Sequence, residues 1–269
     1  MDNKFTLTVL GTRGSMPVEG KNFAVYGGTT SCYRVLAGNE EIYLDAGSGI
    51  VGAKALPNSH VSILLTHMHL DHIMGLPFFS TLSEKGRPID IYAGKHAGLF
   101  NKEAIDRVFS PPFWPCKIGD YPAQVNFHDL AEVKGEMTLG DVKIKMIEGT
   151  HPQGATIYRL ERGGKSIVYA TDFEHYSEGC AALTKFATDC DLLLYDAQYT
   201  EKEYEACRGY GHSMPEEGIK IAAKAKVKKL VYVHHAPNRT DDDLRQMDAK
   251  YFLENVPVTF AKIGDEFLL

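Results

Sequence analysis

Three histidines and one aspartate stand within six residues in the first third of the chain, as His67, His69, Asp71 and His72. They follow residues 61–65, a run of apolar and β-branched side chains that is typical of a buried strand. Neutral imidazole and carboxylate groups are ligands for zinc and related divalent ions. Because buried polar groups need partners, a bound metal explains this cluster better than a chance polar loop does. The stretch therefore predicts a metal site.

The spacing of these four residues divides them into two pairs. His67 and His69 lie two positions apart, so in an extended segment their side chains point the same way and can share one ion. Asp71 and His72 follow where the apolar periodicity predicts a helix over residues 71–85. From the start of that helix they can face a second ion.

Further polar residues follow predicted strands farther along the chain. Single ligand-type residues at strand ends are more often caps or structural residues than ligands, but their repetition is informative. The strands alternate with predicted helices over 96–109 and 216–224, which indicates α/β architecture with a site at one rim. The strand-end residues are Asp45 after 41–44, His151 after 142–147, Asp172 after 166–170, Asp196 after 191–195 and His234 after 230–233.

The pattern His-x-His-x-Asp-His after a hydrophobic strand resembles the metallo-β-lactamase-fold superfamily of metal-dependent hydrolases. The resemblance implies a four-layer αβ/βα sandwich with two mixed β-sheets, flanking helices and a metal site at one rim. It also implies that residues 1–269 form a single domain of this fold. The superfamily places a His, a bridging Asp and a late His after the cluster, and His151, Asp172 and His234 stand in that order.

The resemblance assigns ligands to two ions. The first ion takes His67, His69 and His151, the second takes Asp71, His72 and His234, and Asp172 bridges them. His234 and His235 compete for the last position. We favour His234, because in related phosphodiesterases the ligand directly follows the last apolar strand; His235 would then face away from the ion or towards substrate.

The segment Gly211-His212-Ser213, followed by a helix and by residues 228–234, resembles ribonuclease Z and its phosphodiesterase relatives. No cysteine stands in the ligand series, which argues against antibiotic hydrolysis. Two departures argue against tRNA processing. Only a short hairpin lies between His151 and Asp172 where ribonuclease Z carries a basic arm, and His-Ala-Pro-Asn-Arg follows the last ligand.

These features predict a dinuclear hydrolase that cleaves small phosphodiesters, such as cyclic nucleotides, through a hydroxide bridging two divalent ions. Zinc is expected, with manganese or iron as alternatives. Asp71 and His212 are the candidate catalytic residues: Asp71 orients the hydroxide and His212 protonates the leaving alkoxide. The alternatives are a lactonase or thioesterase, a tRNA 3′-processing endonuclease, and a non-catalytic metal-binding sensor.

Four residues are candidates for orienting ligands or contacting substrate: Asp45, Asp196, His235 and Trp114. Trp114 lies in the proline-rich segment 110–116, which is either a wall of the substrate site or a plug on the core. The Gly-rich residues 11–15 lack a phosphate-loop ending, so a tight turn is the favoured interpretation.

The composition bounds the partners. The chain of 269 residues has 29 Lys and Arg against 35 Asp and Glu, a net charge of −6, which argues against a general nucleic-acid binder. Five scattered cysteines without a Cys-x-x-Cys pair do not form a disulfide framework. With no signal-peptide or membrane-spanning pattern, we expect a cytoplasmic protein without a membrane partner. Related proteins are often dimers, so a homodimer is one expectation.

Overall fold

Two seven-stranded β-sheets pack face to face and carry the helices on their outer surfaces. The computed structural model describes residues 4–95, 97–130 and 135–269. The strands in that part of the chain are β1 (Phe5–Gly11), β2 (Cys32–Ala37), β3 (Glu40–Leu44), β4 (His60–Leu65), β5 (Pro88–Ala93), β6 (Gln124–Asp129), β7 (Glu136–Leu139), β8 (Val142–Gly149), β9 (Ala155–Arg162), β10 (Lys165–Ala170), β11 (Leu192–Asp196), β12 (Leu230–Val233), β13 (Val258–Phe260) and β14 (Glu266–Leu268).

The α-helices of the same described ranges vary from one turn to three. They are α1 (Leu70–Ile73), α2 (Asn101–Val108), α3 (Ser177–Phe186), α4 (Glu201–Cys207), α5 (Pro215–Ala225) and α6 (Asp241–Lys250). In these ranges, no helix has both the length and the apolar character needed to cross a membrane.

Each sheet is mixed, and the two have related layouts. The first sheet has the order β14-β1-β2-β3-β4-β5-β6, antiparallel from β14 to β3 and parallel from β3 to β6. The second has the order β13-β12-β11-β10-β9-β8-β7, parallel from β13 to β10 and antiparallel from β10 to β7. Because neighbouring parallel strands end at the same edge, each sheet gathers several strand exits on one rim.

Three apolar layers hold the sandwich together. The inner faces of both sheets meet in one core, where Tyr33 of the first sheet packs on Tyr169 of the second with ring centroids 5.1 Å apart. A second core lies between the second sheet and the helices α3, α5 and α6. A third lies between the first sheet and the segments that follow β3, β4 and β5. The expected four-layer αβ/βα sandwich with two mixed β-sheets is confirmed.

The predicted helix over residues 71–85 is wrong beyond its first turn. α1 ends at Ile73, and two 3-10 turns follow at Leu76–Phe78 and Ser80–Ser83. Pro77 cannot donate a helical hydrogen bond, so it fits a turn start but not a helix interior. Gly75 lies so close to the carbonyl of Gly47 that any side chain would overlap it.

The other predicted elements differ mainly at their ends. The predicted helix over 96–109 is α2, which begins only at Asn101; its first predicted residue, His96, lies outside the described residues. The helix predicted over 216–224 is α5. The edge strands β6, β7, β13 and β14 and the helices α3, α4 and α6 are not among the predicted elements, although α4 and α6 each begin with a capping box, Thr200 with Glu203 and Thr240 with Asp243.

Packing of α5 on β11 and β12 gives a test of the second core. A Cβ at Gly218 would lie 2.7 Å from the ring of Tyr232 and 2.8 Å from that of Tyr195. We expect Gly218→Val to lower the free energy of unfolding by about 1–3 kcal/mol, because the core is already filled. Urea denaturation measures the change. Gly52→Val is the control, since a Cβ there meets nothing within 4 Å; equal losses in both variants would contradict the packing.

Candidate metal centre

Histidine and aspartate side chains from both sheets converge on the rim where the parallel strands end. His67 lies two residues beyond β4, His151 and Asp172 lie two residues beyond β8 and β10, and His234 directly follows β12. Four groups of ligand-type atoms each lie within 4.8 Å of one another. They are His67, His69 and His151 (the first set); Asp71, His72 and His234 (the second set); His67, His72 and Asp172; and Asp172, Asp196, His212 and His234. The structure thus brings together all seven residues that the resemblance assigns to the two ions.

The first set consists of three imidazoles. The Nδ1 atom of His69 lies 3.1 Å from the Nε2 atom of His151, and the ring of His67 stands edge-on to both. Burial, with smaller contributions from neighbouring imidazoles, lowers the pKa of His67 well below its ordinary value. Burial likewise lowers the pKa of His151. His67 and His151 are therefore neutral and can donate a lone pair to a cation.

The second set combines imidazoles with carboxylates. The Nε2 atom of His72 lies 3.3 Å from Asp71 Oδ2 and 3.1 Å from Asp172 Oδ2. The Nε2 atom of His234 lies 3.2 Å from each of the same two oxygens. Asp172 also turns its Oδ1 towards the first set, 3.8 Å from His67 and 3.7 Å from His151. Asp172 therefore stands between the two sets, where a bridging ligand is expected.

When no cation is bound, the neighbouring carboxylates keep His72 of the second set protonated. Burial disfavours the charged ring of His72, but Asp172, Asp71 and Asp45 outweigh it and raise its pKa well above the ordinary value. Burial also disfavours the Asp172 carboxylate, yet His234 and His72 hold the pKa of that carboxyl well below its usual range. A divalent cation at this position would replace the imidazolium proton as the partner of the carboxylates.

Asp45, which follows β3, holds the ligand imidazoles from behind. Its fully buried carboxylate accepts hydrogen bonds from the backbone N–H of Thr66 at 2.7 Å and from the hydroxyl of Tyr169 at 2.8 Å. Its Oδ2 also lies 2.8 Å from Nδ1 of His72, and the Thr66 hydroxyl bridges to Nδ1 of His67 at 3.0 Å. A carboxylate that fixes the outer nitrogen of an imidazole sets its tautomer and ring orientation. This geometry favours the expected role of Asp45 in orienting the ligand imidazoles.

His212, the predicted proton donor, lies at the cluster beside Asp196. Its Nδ1 is 2.8 Å from Asp196 Oδ2, and its ring stacks on His234 with centroids 4.8 Å apart and planes 20° apart. Burial disfavours the imidazolium, but Asp196, which contributes most among the carboxylates, raises the pKa of His212 to about 9. Asp196 also accepts the backbone N–H of Asp172 at 3.0 Å. One carboxylate therefore fixes both His212 and the bridging aspartate.

The loop after β1 covers the second set of ligands. This role of the loop was not predicted from the sequence. The backbone N–H of Ser15 donates to Asp71 Oδ2 at 2.7 Å, from a left-handed φ of 64°. Any Cβ at Gly14 would overlap the ring of His234. The glycines of residues 11–15 could have indicated this contact, because glycine permits close backbone approach. Tyr169, which also contacts the site, carries no such signal.

Two candidate substrate residues are placed elsewhere. His235 is only 1% exposed, and its Nε2 donates to the carbonyl of Ala261 at 2.9 Å, so it faces the core and cannot contact substrate. Trp114 packs edge-on against Phe78 and Phe109, with ring centroids 5.2 and 6.1 Å apart. These are the contacts of a plug on the outer core of the first sheet, and they give no support to a substrate wall.

A small cavity opens beside the first set of ligands. It has a volume of about 120 Å³ and is lined by His67 and His69 together with Met68, Leu99 and Pro152 and a few neighbours. Apart from the imidazoles, this lining is largely apolar. A larger cavity of about 380 Å³ shares Gln153 and Gly154 with it. The metal cluster is therefore open to ligands on the side of the first set.

A rim cluster of histidines and aspartates on a four-layer sandwich is the arrangement expected of a metal-dependent hydrolase. The chain belongs to the beta-lactamase superfamily, because the model of the beta-lactamase superfamily domain matches residues 40–235. The expected superfamily is confirmed, as is the hydrolase class, and curated relatives bear the name of the expected ribonuclease-Z-like branch.

Known proteins resemble the chain over nearly its whole length. Ribonuclease Z of Methanosarcina acetivorans is 27% identical over 299 aligned positions, which cover 94% of each chain. A diphosphatase from the PhnP family has a similar structure, with a TM-score of 0.73 and 21% identity over 98% of this chain and 97% of the other. The metallo-beta-lactamase fold protein YhfI from Bacillus subtilis has a TM-score of 0.72 and 19% identity, covering 99% of this chain and all of YhfI.

The carboxylate of Asp45 can be tested by an isosteric change. In Asp45→Asn, an amide NH2 would face groups that themselves donate hydrogen bonds, so His72 would lose its fixed tautomer. We expect zinc affinity to fall about 10–100-fold, measured by competition with a chromophoric chelator. Asp141→Asn is the matched control, because Asp141 pairs with Arg162 at an exposed position. Unchanged affinity in Asp45→Asn would show that the bond does not orient the ligand.

Proposed function

We propose that this chain hydrolyses phosphodiester bonds at a centre of two divalent ions. The observation that carries the proposal is the position of His212, stacked on His234 and hydrogen-bonded to Asp196. A protonated imidazole beside a metal cluster supplies what phosphodiester cleavage needs in addition to the ions, namely a proton for the leaving alkoxide.

The buried polar atoms of the cluster fit metal ions. Among residues 4–95, 97–130 and 135–269, the Nε2 atoms of His67 and His72 are buried without a hydrogen bond of good geometry. Such atoms are costly unless a ligand satisfies them. Imidazole nitrogens and carboxylate oxygens, with no sulfur among them, suit zinc, manganese or iron.

The charge of the cluster supports two ions rather than one. Four carboxylates lie within it at 6% exposure or less, those of Asp45, Asp71, Asp172 and Asp196. Within the described part of the chain, their ion-pair partners are histidines alone. With His212 protonated beside Asp196, three negative charges remain, which is more than one divalent cation can balance. We therefore assign His67, His69 and His151 to one ion, Asp71, His72 and His234 to the other, and Asp172 to both.

The ions, when bound, would lower the pKa of a coordinated water and stabilise charge on the phosphoryl oxygens. The chain supplies the remaining functions. The N–H of Ser15 and the ring of His234 hold Asp71 in position. These contacts keep its carboxylate directed at the other ligands of the second set. Nδ1 of His212 donates to Asp196. Because the pKa of His212 is raised to about 9, the ring is an imidazolium that also carries a proton on Nε2, and this is the proton that would pass to the leaving alkoxide.

RNA is the substrate class that the relatives favour. The curated relative from Methanosarcina acetivorans is a ribonuclease Z and aligns over 94% of this chain. Those from Picrophilus torridus and Latilactobacillus sakei bear the same name. This reverses the sequence-based order, which placed small phosphodiesters first and tRNA 3′ processing among the alternatives. We propose cleavage at the 3′ side of a structured RNA as the first activity to test.

A small phosphodiester is the second candidate, because the chain lacks segments that the relative has. The alignment with the Methanosarcina enzyme runs over 299 positions, more than the 269 residues of this chain, so the relative contains inserted residues. Between β9 and β10 the chain makes only a tight turn at Gly163 and Gly164. With a net charge of −6, a shorter chain has less cationic surface for a long RNA.

A substrate panel decides between these classes. We expect the zinc- or manganese-loaded protein to cleave bis-p-nitrophenyl phosphate and a precursor tRNA with a 3′ trailer, and to lose both activities on chelation. A cyclic nucleotide tests the second candidate, and a lactone and a thioester test acyl transfer. Turnover of only the acyl substrates would contradict the proposal, and metal binding without any turnover would favour a sensor.

The role of His212 predicts a selective loss. His212→Ala should lower turnover of the phosphodiester about 10²–10⁴-fold, because the leaving alkoxide loses its proton donor. Elemental analysis should still find two ions per chain, since His212 is not one of the seven ligands. His128→Ala is the control: its Nε2 lies 2.7 Å from Asp90 in a similar pair on an edge strand of the first sheet. Full turnover in His212→Ala would remove it from the mechanism.

A further inference from the structure

The turn that follows β8 connects two of the proposed ligands of the first ion. The backbone N–H of Gly154 donates to the carbonyl of His151 at 2.9 Å, so residues 151–154 form a β-turn with Pro152 in its second position. The third position belongs to Gln153, whose φ is +63°. A proline followed by a positive φ is the pattern of a type II turn, in which glycine or asparagine is the favoured third residue.

Gln153 therefore occupies a backbone conformation that glycine would adopt at lower cost. Its side chain gives a reason for its presence. The Oε1 atom of Gln153 lies 3.0 Å from Nε2 of His69, on the side of that ring opposite to the cluster. A residue in a disfavoured conformation that also contacts a functional group points to a role at the site.

The contact determines which nitrogen of His69 faces the ion. When Nε2–H donates to the amide oxygen, the proton of the neutral ring is on Nε2 and Nδ1 presents a lone pair. Nδ1 is the atom that lies 3.1 Å from Nε2 of His151. The other two imidazoles of the set are held in the same way from behind, Nδ1 of His67 by the Thr66 hydroxyl and Nδ1 of His151 by the carbonyl of Gly211 at 2.9 Å.

We infer that Gln153 is a positioning residue for the first ion, which it serves by fixing the tautomer and ring direction of His69. The inference rests on the proposed metal centre. The contact between Gln153 and His69 differs from the contacts that hold His67 and His151. Gln153 is solvent-exposed, whereas Thr66, the partner of His67, is fully buried. Gln153 also lines the cavity beside His67 and His69, so the residue that orients the ligand borders the open side of the site.

Three substitutions separate the side chain from the backbone. Gln153→Gly removes the oxygen and relieves the backbone, so we expect weaker zinc binding, by about 10–100-fold, together with a Tm of the metal-free protein that rises by about 1–4 °C. Gln153→Asn accepts the positive φ, but its side chain is one methylene too short to reach His69, so zinc binding should weaken similarly. Gln153→Glu keeps the length and an acceptor oxygen and should retain wild-type affinity.

Lys226→Gly is the matched control for backbone relief. Lys226 is another long, exposed side chain at positive φ, 55°, at the end of α5. This variant should also gain thermal stability but leave zinc affinity unchanged. Affinity is measured by competition with a chromophoric chelator, and Tm by circular dichroism after chelation.

Two results would overturn the inference while leaving the metal centre in place. One is wild-type zinc affinity in Gln153→Gly and Gln153→Asn. The other is a loss in Gln153→Glu as large as in the glycine variant, which would assign the effect to the turn and not to the acceptor oxygen. Failure of the wild-type chain to bind zinc would instead contradict the proposed centre itself and this inference with it.

Discussion

The buried carboxylate of Asp45 connects the fold to its chemistry. It follows a strand of the first sheet, yet it accepts the hydroxyl hydrogen bond of Tyr169 from the second sheet. It also anchors Thr66 and His72, which stand at the two ends of the metal-binding loop. A carboxylate with no exposed surface is tolerable only when its oxygens are satisfied in this way. Movement of either sheet along the other would therefore break the bonds that orient the ligands.

The same rim concentrates backbone strain. Asp45, Asp172 and His234 each follow a strand and each has a left-handed φ, at 61°, 50° and 61°. For residues other than glycine, such conformations cost of order 1–3 kcal/mol each and persist only where the surroundings enforce them. Here the apolar core between the sheets fixes the strand ends. The sharp reversal then directs each side chain over the rim and not along the strand, which is how residues far apart in sequence meet.

The sequence could predict that polar residues meet at this rim, because the ends of buried parallel strands gather on one edge of a sheet. That rule applies equally to Asp45 and Asp196, and it was the resemblance to the superfamily that singled out His151, Asp172 and His234 as ligands. The rule could not find Tyr169, whose acceptor Asp45 lies more than a hundred residues away, or Gln153, whose role depends on a turn conformation. Helix prediction failed after Ile73 for a related reason, since apolar periodicity continued through Pro77 although the backbone there could not remain helical.

Charge explains why this region cannot be completed by protein groups alone. Four carboxylates lie at the rim with almost no exposure, and the described residues pair them only with imidazoles. Lysine or arginine partners would satisfy the charges but would fill the positions that the metal ions of the proposed centre would occupy. Protonated imidazoles balance the carboxylate charges less well than a metal ion does, because a divalent cation carries twice the charge and accepts several lone pairs at once. Bound metal would then stabilise the fold and place cations on the open side of the site, where the proposed phosphodiester, an anion, could bind.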